Sequence, residues 1–399
     1  MQLRYQFRLY PTPGQRIQLA KAFGCARVVF NDGLRIRQAA HGAGLPYVTD
    51  TDLQKQVITA AKKTSERGWL AEVSSVVLIQ ALGDLHTAYR NFFASVTGRR
   101  KGAKVAPPRF RSLKDKRQAI RLTRNGFSLR ANGRLYVAKV GEISVRWSRP
   151  LPAEPSSVTV LKDAAGRYFA SFVVEAGDDS LPAAGPEIGI DLGLSHFAVL
   201  SDGTKISGPR FLRRAEKKLR KLHKALSRTE KGSRNRVKAR TEVARQHAKV
   251  ADARREFLHR LSTKIVRENQ AVYVEDLAVK GLARTRLAKS VHDAGWSAFC
   301  SMLEYKAARH GRWFGRIGRY EPTSQVCSTC GVKDGPKPLH VRHWTCPHCD
   351  TVHDRDHNAA INILAAGRAD RSNACGGEIR PALVLAHADE AGTHPGAAE

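Results

Sequence analysis

Four cysteines set the tightest constraint on what this chain can fold into: Cys327-x2-Cys330, a gap of fifteen residues, then Cys346-x2-Cys349. Each Cys-x2-Cys turn brings two thiolates to one side of a tight knuckle. Two knuckles supply the four sulfurs that a tetrahedral Zn2+ takes. Four thiolates leave no position open for water, so the expectation is one structural zinc on Cys327, Cys330, Cys346 and Cys349, not a catalytic one. His343, His348 and His353 lie nearby in sequence as substitute ligands, although four cysteines already complete the shell. Just beyond the last cysteine comes a short acidic motif, Asp354-Arg355-Asp356, running into a helix-like Asn-Ala-Ala segment. Carboxylates are unexpected there, because the chain carries 68 Lys and Arg against 36 Asp and Glu, a formal net charge of +32.

That surplus is spread along most of the 399 residues, so a single basic tail does not account for it. It attracts polyanions and repels other copies of the chain. Nucleic acid is the leading partner, and an anionic membrane surface is the alternative. No apolar run reaches the roughly 18 residues that a membrane span needs. The opening "MQLRYQFRLYPTPGQ" lacks the apolar block of a secretory signal, which points to the cytosol. Cys25, Cys300 and Cys375 are scattered singly and suggest no disulfide framework.

Residues 2–9 alternate, with Leu3, Tyr5, Phe7 and Leu9 on one face, as a half-buried strand does. Pro11 and Pro13 end it. Residues 14–40 and 72–96 read as helices; in the second, Leu78, Ala81, Leu85, Tyr89 and Phe92 share a face. The basic, Gly- and Pro-containing span 98–117 suits a loop over a phosphate backbone. Strand-rich runs fill 119–176, and 176–186 is a linker by composition. Residues 187–205 predict a β-hairpin, and 209–269 predict two long helices broken at "KGSRN". The first carries Leu212, Ala215, Leu219, Leu222 and Leu226 as a narrow seam, with heavily basic faces elsewhere. Those faces suit nucleic acid; a solvated surface is the plainer reading. Residues 270–279 read as a short buried strand ending in acids, and 290–313 as a further helix. After 365 the chain turns Ala/Gly-rich without periodicity, which predicts a disordered tail over 366–399.

Three acids occupy positions that an RNase H-like nuclease requires. Asp191 lies in the apolar strand "IGIDLGL", Glu275 ends the strand "AVYVE", and Asp356 precedes a helix. A carboxylate in an apolar strand is costly to bury unless it is paired or metal-bound. Strand-end acids are often merely exposed, and Asp356 alone reads equally as a helix N-cap. Their order, however, is that of the RuvC branch of RNase H-like nucleases. Phosphodiester hydrolysis develops negative charge on the attacking and leaving oxygens. Two Mg2+ ions about 3.5–4 Å apart stabilise both, and carboxylates hold such hard cations while leaving room for water and phosphate. The glycines beside Asp191 are expected to let the backbone approach substrate closely. Asp202, Asp276 and Asp354 are the competing acids, and Arg342 and Arg355 are either phosphate contacts or plain surface residues.

These stretches, together with the opening "FRLYPTPGQ…FGCARVVFN", resemble the TnpB proteins of insertion sequences over about residues 1–365. TnpB proteins are RNA-guided DNA nucleases similar to the type V CRISPR effectors. The resemblance implies an α+β multidomain chain. A β-barrel-like wedge domain (1–10 and 119–180) would carry an inserted helical recognition lobe (11–118). An RNase H-like RuvC α/β domain (187–326 and 351–365) would follow, interrupted by a four-cysteine zinc ribbon (327–350) just before its last acid. It implies a monomer that binds a guide RNA from the transposon end, reads a transposon-adjacent motif in double-stranded target DNA and cuts it at one RuvC-like site. In that reading Asp191, Glu275 and Asp356 hold Mg2+, and the basic surplus grips an RNA–DNA heteroduplex through its backbone. The adjacent motif would be read near Ser74, Ser75, Gln80 and Lys104, positions that serve equally well as exposed surface. Two alternatives stay open: a repressor that finds DNA by RNA without cutting, and a DNA transposase acting without RNA.

Overall fold

The computed structural model describes residues 2–115, 118–177, 180–338 and 340–374. The chain divides into two compact units, Met1–Gly177 and Asp178–Glu399.

In the first unit, β1 (Gln2–Tyr10) alternates as its sequence demands, burying Tyr5, Phe7 and Leu9. Thr12 then caps α1 (Pro13–Gly42): its hydroxyl accepts from the Gln15 N–H while the Gln15 side chain reaches back to the Thr12 N–H. A short α2 (Asp50–Gln54) leads through tighter and wider turns to α3 (Ser75–Val96). Six strands follow: β2 (Gln118–Thr123), β3 (Phe127–Leu129), β4 (Leu135–Val137), β5 (Gly141–Arg146), β6 (Ser157–Lys162) and β7 (Tyr168–Glu175). They form one antiparallel sheet in the order β2-β6-β7-β1-β5-β4-β3. Its two outer strands, β2 and β3, are consecutive in the chain and separated only by Arg124–Gly126. The sheet must therefore curl until its edges approach, which makes it barrel-like. Gly126 fits that corner because a Cβ there would lie 3.0 Å from Leu122 and 3.1 Å from Val76. A single apolar core joins sheet and helices, from Phe7, Leu9 and Phe172 to Leu19 and Val29 of α1 and Leu78 and Leu85 of α3.

The second unit opens with β8 (Glu187–Asp191), β9 (Ala198–Leu200) and β10 (Lys205–Ile206). Two basic helices, α4 (Phe211–Ser227) and α5 (Arg234–Glu268), pack on each other, with Leu219 buried and Ser233 capping the second. Then come β11 (Ala271–Glu275), α6 (Val279–Leu282), α7 (Ala288–Ala294), α8 (Trp296–Arg309), β12 (Trp313–Ile317), β13 (His343–Thr345), β14 (Val352–Asp354) and α9 (Arg355–Ala374). The main sheet has the order β10-β9-β8-β11-β12, with β8, β11 and β12 parallel. β13 and β14 pair separately.

Two expectations need correction. A single helix over 290–313 does not form. Gly295, at φ 74°, ends α7 and starts α8, and Trp-Phe-Gly-Arg-Ile pairs with β11 as β12. The predicted disordered tail over 366–399 also starts too early, because α9 continues to Ala374. Alanine is the strongest helix former, and this stretch is anchored by contacts that periodicity does not display. Ala369 is buried, and Arg368 and Arg371 both pair with Glu187. Residues 375–399, Cys375 among them, lie outside the described residues. No helix among the described residues is long and apolar enough to cross a membrane.

Candidate functional site

Strand register decides which residues meet at the carboxyl end of the parallel sheet. β8 and β11 run parallel with Tyr273 opposite Gly189 and Val274 opposite Ile190. The next rung sets Glu275 level with Asp191. Both end their strands, where open α/β sheets bind ligands. Because side chains alternate faces, Gly189 and Asp191 share one face of the sheet, as do Tyr273 and Glu275.

α9 lies against that face. A Cβ at Gly189 would lie 2.2 Å from the Ala360 carbonyl oxygen, and one at Gly367 would lie 2.2 Å from the Tyr273 ring. Only glycine allows helix and strand to come so close. Asp191 lies one pleat beyond Gly189, and Asp356 lies one turn before Ala360. The Gly189–Ala360 approach therefore carries Asp356 toward Asp191. The glycine of "GID" serves helix packing, not the close approach to substrate expected from sequence.

The electrostatics reflect this convergence. Burial pushes the Asp191 carboxyl up to about 7, with the charges of Asp356 and Glu275 adding to it; Arg355 and Arg342 act against them. Burial first, and Asp276 second, also raise Glu275. Neither the Asp191 nor the Glu275 carboxyl has a hydrogen-bond partner among the described residues. Asp356 meets the Arg342 guanidinium at 3.1 Å, and Arg342 also donates to the Ser195 hydroxyl at 2.9 Å.

The competing acids all have structural partners. Asp354 caps α9, accepting from the Asp356 and His357 N–H groups at 3.1 and 3.0 Å, and pairs with Lys205 at 2.6 Å. Burial alone would raise its carboxyl, but Lys205 and the His357 N–H hold it below the ordinary value. The cap expected as an alternative for Asp356 is thus Asp354. Asp276 pairs with Arg319 at 2.6 Å, and Asp202 accepts the Thr204 N–H in a turn.

The cysteine cluster is a closed site. Cys327, Cys330, Cys346 and Cys349 bring their sulfurs within 4.8 Å of one another. The Cys327–Cys349 and Cys330–Cys346 separations are 3.7 and 3.6 Å. Tetrahedral Zn–S bonds of about 2.3 Å imply sulfur separations of about 3.8 Å, so the donor set fits one such ion. None of the three nearby histidines belongs to this cluster. His343 and His348 are exposed, while buried His353 sets its Nε2 3.0 Å from Cys327 Sγ as an outer partner. The acids are less tightly gathered: among the described residues, the three carboxylates do not all reach 4.8 Å of one another.

α9 links the two centres. Asn358 and Asn362, one turn apart and both buried, donate to the Thr323 and Val326 carbonyls, and Asn358 accepts the Ser328 N–H. The Arg355 guanidinium donates to the Lys337 and Pro338 carbonyls, which makes it a clamp on the ribbon. A cysteine cluster thus precedes Asp356 because the ribbon is tied to the helix that carries this acid. Arg342 is legible in sequence only as a nearby cation; its pairing with Asp356 depends on the ribbon fold.

The fold as a whole is similar to that of a Cas12f-type protein. A structure described as a "Cryo-EM structure of the Cas12f1-sgRNA-target DNA complex" matches 88% of this chain and 82% of its own at TM-score 0.57 and 14% identity. Family profiles described as "Probable transposase", "Cas12f1-like, TNB domain" and "Helix-turn-helix domain" match residues 171–286, 296–363 and 1–45. A Streptomyces pristinaespiralis protein named "Putative RNA-guided DNA endonuclease" is 46% identical over 94% of this chain and 92% of its own length. "Putative RNA-guided DNA endonuclease InsQ" of Escherichia coli K12 is 30% identical over 92% of each. The chain belongs to the OrfB family of insertion sequences, the TnpB proteins.

Proposed function

We propose that this protein is the RNA-guided DNA endonuclease of an insertion sequence, with Asp191, Glu275 and Asp356 as its nuclease site. The observation that carries this reading is that Asp356 and Glu275 lie near enough to Asp191, at the carboxyl end of a parallel sheet, for their charges to raise it, while the Asp191 and Glu275 carboxyls have no hydrogen-bond partner among the described residues, in a chain of net charge +32. Unpaired like charges at one place cost free energy, and a cation removes that cost. Oxygen donors of this kind suit Mg2+. Asp191, Glu275 and Asp356 would hold two such ions, which when bound stabilise charge on the attacking and leaving oxygens of a phosphodiester. Asp191 has to ionise to serve, and Asp356 has to leave Arg342. The freed guanidinium then stands beside the site as a donor for a phosphate oxygen.

The resident metal of the ribbon in this reading is zinc, held by the four cysteines and structural. The partners are a guide RNA from the transposon end and double-stranded target DNA, met by a monomer in the cytosol. The excess cations, dense on α4 and α5, favour grip on nucleic-acid backbones, so binding should weaken steeply with salt. The domain boundaries expected from sequence, including a recognition lobe at 11–118 and a ribbon at 327–350, remain part of this proposal. The test is a cleavage assay with copurifying RNA, a matched target and Mg2+. Guided, metal-dependent cutting is expected. Occupancy without nicking leaves the repressor, and specific cutting after RNA is stripped leaves the transposase.

A further inference from the structure

Beside the acids, and apart from them, lies a partly open cleft of ≈ 230 Å³ that no step above uses. Its floor is aromatic: Phe197, Phe211 and Phe257 line it with Leu194. Phe257 meets Phe197 edge-on with centroids 5.2 Å apart, and Phe211 at 6.2 Å. One wall is rigid. Asp293, 7% exposed, accepts the Leu212 N–H at 2.9 Å and the Arg254 guanidinium at 3.0 Å, locking α7 to α4 and α5. The opposite rim is unlike the rest. Arg210 there is exposed, holds a left-handed backbone at φ 49°, and its side chain has no hydrogen-bond or ion-pair partner among the described residues. A non-glycine residue in that conformation is strained and persists where surrounding structure imposes it, often at binding sites. The cleft begins at Gly193 and Leu194, two residues beyond Asp191, which is roughly 7 Å of chain.

Three rings, a free cation at the rim and a phosphodiester-cutting centre next door describe one ligand class. The geometry points to a subsite for a single unpaired nucleobase of the strand being cut, stacked on the half-buried Phe211 and Phe257 with buried Phe197 behind them, and with Arg210 on its phosphate. At ≈ 230 Å³ the cleft has room for one planar heterocycle, which suits a base already freed from its pair. Recognition by ring faces is tolerant of sequence, because every base has one. This inference rests on the nuclease reading, and it gives the centre a way to seat the scissile phosphate through the base beside it.

Two measurements separate the subsite from that reading. In the first, a short DNA strand carrying one 2-aminopurine is titrated against the full-length Asp191→Ala chain, with no cutting involved. Quenching of the fluorescent base is expected on binding, and Phe211→Leu should remove most of it and weaken binding about tenfold. In the second, guide-loaded protein cuts targets that carry one abasic position, moved stepwise across the cut. A loss of about tenfold is expected at one position beside the scissile phosphate, and Phe211→Leu should make the enzyme indifferent to that position. Arg210→Gly relieves the backbone and removes the rim charge, and it should weaken the same position several-fold. It decides the outcome should Phe211→Leu lose its zinc or its melting temperature. Equal quenching in wild type and variants, or an abasic profile that the variants do not alter, overturns the subsite. Quenching that responds to the variants while no protein cuts preserves the cleft as a single-strand site and sinks the nuclease reading instead.

Discussion

The ribbon and the acid centre both gather like-charged ligands, yet one is closed and the other is not. Four sulfurs already stand 3.6–3.7 Å apart in their opposite pairs, while three carboxylates stay further apart and Arg342 occupies Asp356. The cysteines arrive in two tight turns separated by fifteen residues, so local backbone geometry shapes their site. The acids arrive from positions 191, 275 and 356, and only sheet register and one helix contact bring them together. Short-range ligands thus preform a structural centre. Long-range ligands leave a looser cluster, which in the proposed function would close only when cation and substrate arrive.

The largest expected break in this contrast is Cys346→Ser. Zinc binding at such a site is folding free energy, about 10–16 kcal/mol in small zinc modules, so the variant should lose its zinc and the fold of the ribbon. Atomic absorption together with thermal melting checks it. Unchanged zinc content and melting temperature would remove Cys346 from the shell. Because Asn358 and Asn362 tie the ribbon to α9, Asp356 should lose its place too, and cutting should fail with it.

Gly189→Ala comes next. A methyl group 2.2 Å from the Ala360 carbonyl oxygen cannot be housed without moving α9, at a cost of about 1–3 kcal/mol or more. The zinc should stay while cutting drops at least about tenfold. A variant that cuts normally would show that the Gly189–Ala360 contact does not position Asp356.

The acid centre should also reveal itself in pH dependence. Asp191 titrates at about 7 in the fold against an ordinary value of 3.8. Its protonated form is therefore favoured by folding. That contribution is fully present below 3.8 and is lost as pH rises through about 7. Asp191→Asn should raise the melting temperature of metal-free protein at pH 8 by several degrees and by less at pH 5. Mg2+ should stabilise wild type increasingly over the same interval, because binding requires the ionised carboxylate. An equal effect at both pH values would place Asp191 in an ordinary solvated setting.

The smallest effect belongs to Arg342→Gln. Arg342 is exposed, and exposed ion pairs contribute only about 0–1 kcal/mol. The variant should bind Mg2+ at most about fivefold more tightly by calorimetry, since Asp356 no longer has to leave a partner. Weaker binding would mean that Arg342 helps to hold the site open.

Legibility follows the range of the interactions. The alternation in β1, the cysteine spacing and the seam of α4 are local patterns, and each can be read directly. The end of β11 is legible because its apolar run stops at Glu275, whereas β8 ends at Asp191 although the sequence, with Leu192 and Leu194 following, reads as a strand that continues past it. The partners of Asp354, Asp276 and Asp202 are not legible, since each lies on another element or in a turn geometry. β12 is hidden because it is only five residues long, carries Gly315 and Arg316 within it, and is set off from α8 by no more than His310-Gly311-Arg312. The last turns of α9 are hidden because alanines, not a hydrophobic stripe, hold them, and their anchor Glu187 lies far away in sequence. The close approach expected at the glycines beside Asp191 is real at Gly189, but its partner is a helix, not substrate.

Everything functional here depends on Asp191, Glu275 and Asp356 sharing one divalent-ion site. Manganese titration followed by electron paramagnetic resonance, on guide-loaded protein with a matched target, reads this directly. Wild type should bind two coupled Mn2+ ions, and Asp191→Ala, Glu275→Ala and Asp356→Ala should each abolish that coupling while the target stays bound. A coupled pair that survives in any one of the three variants would contradict the account.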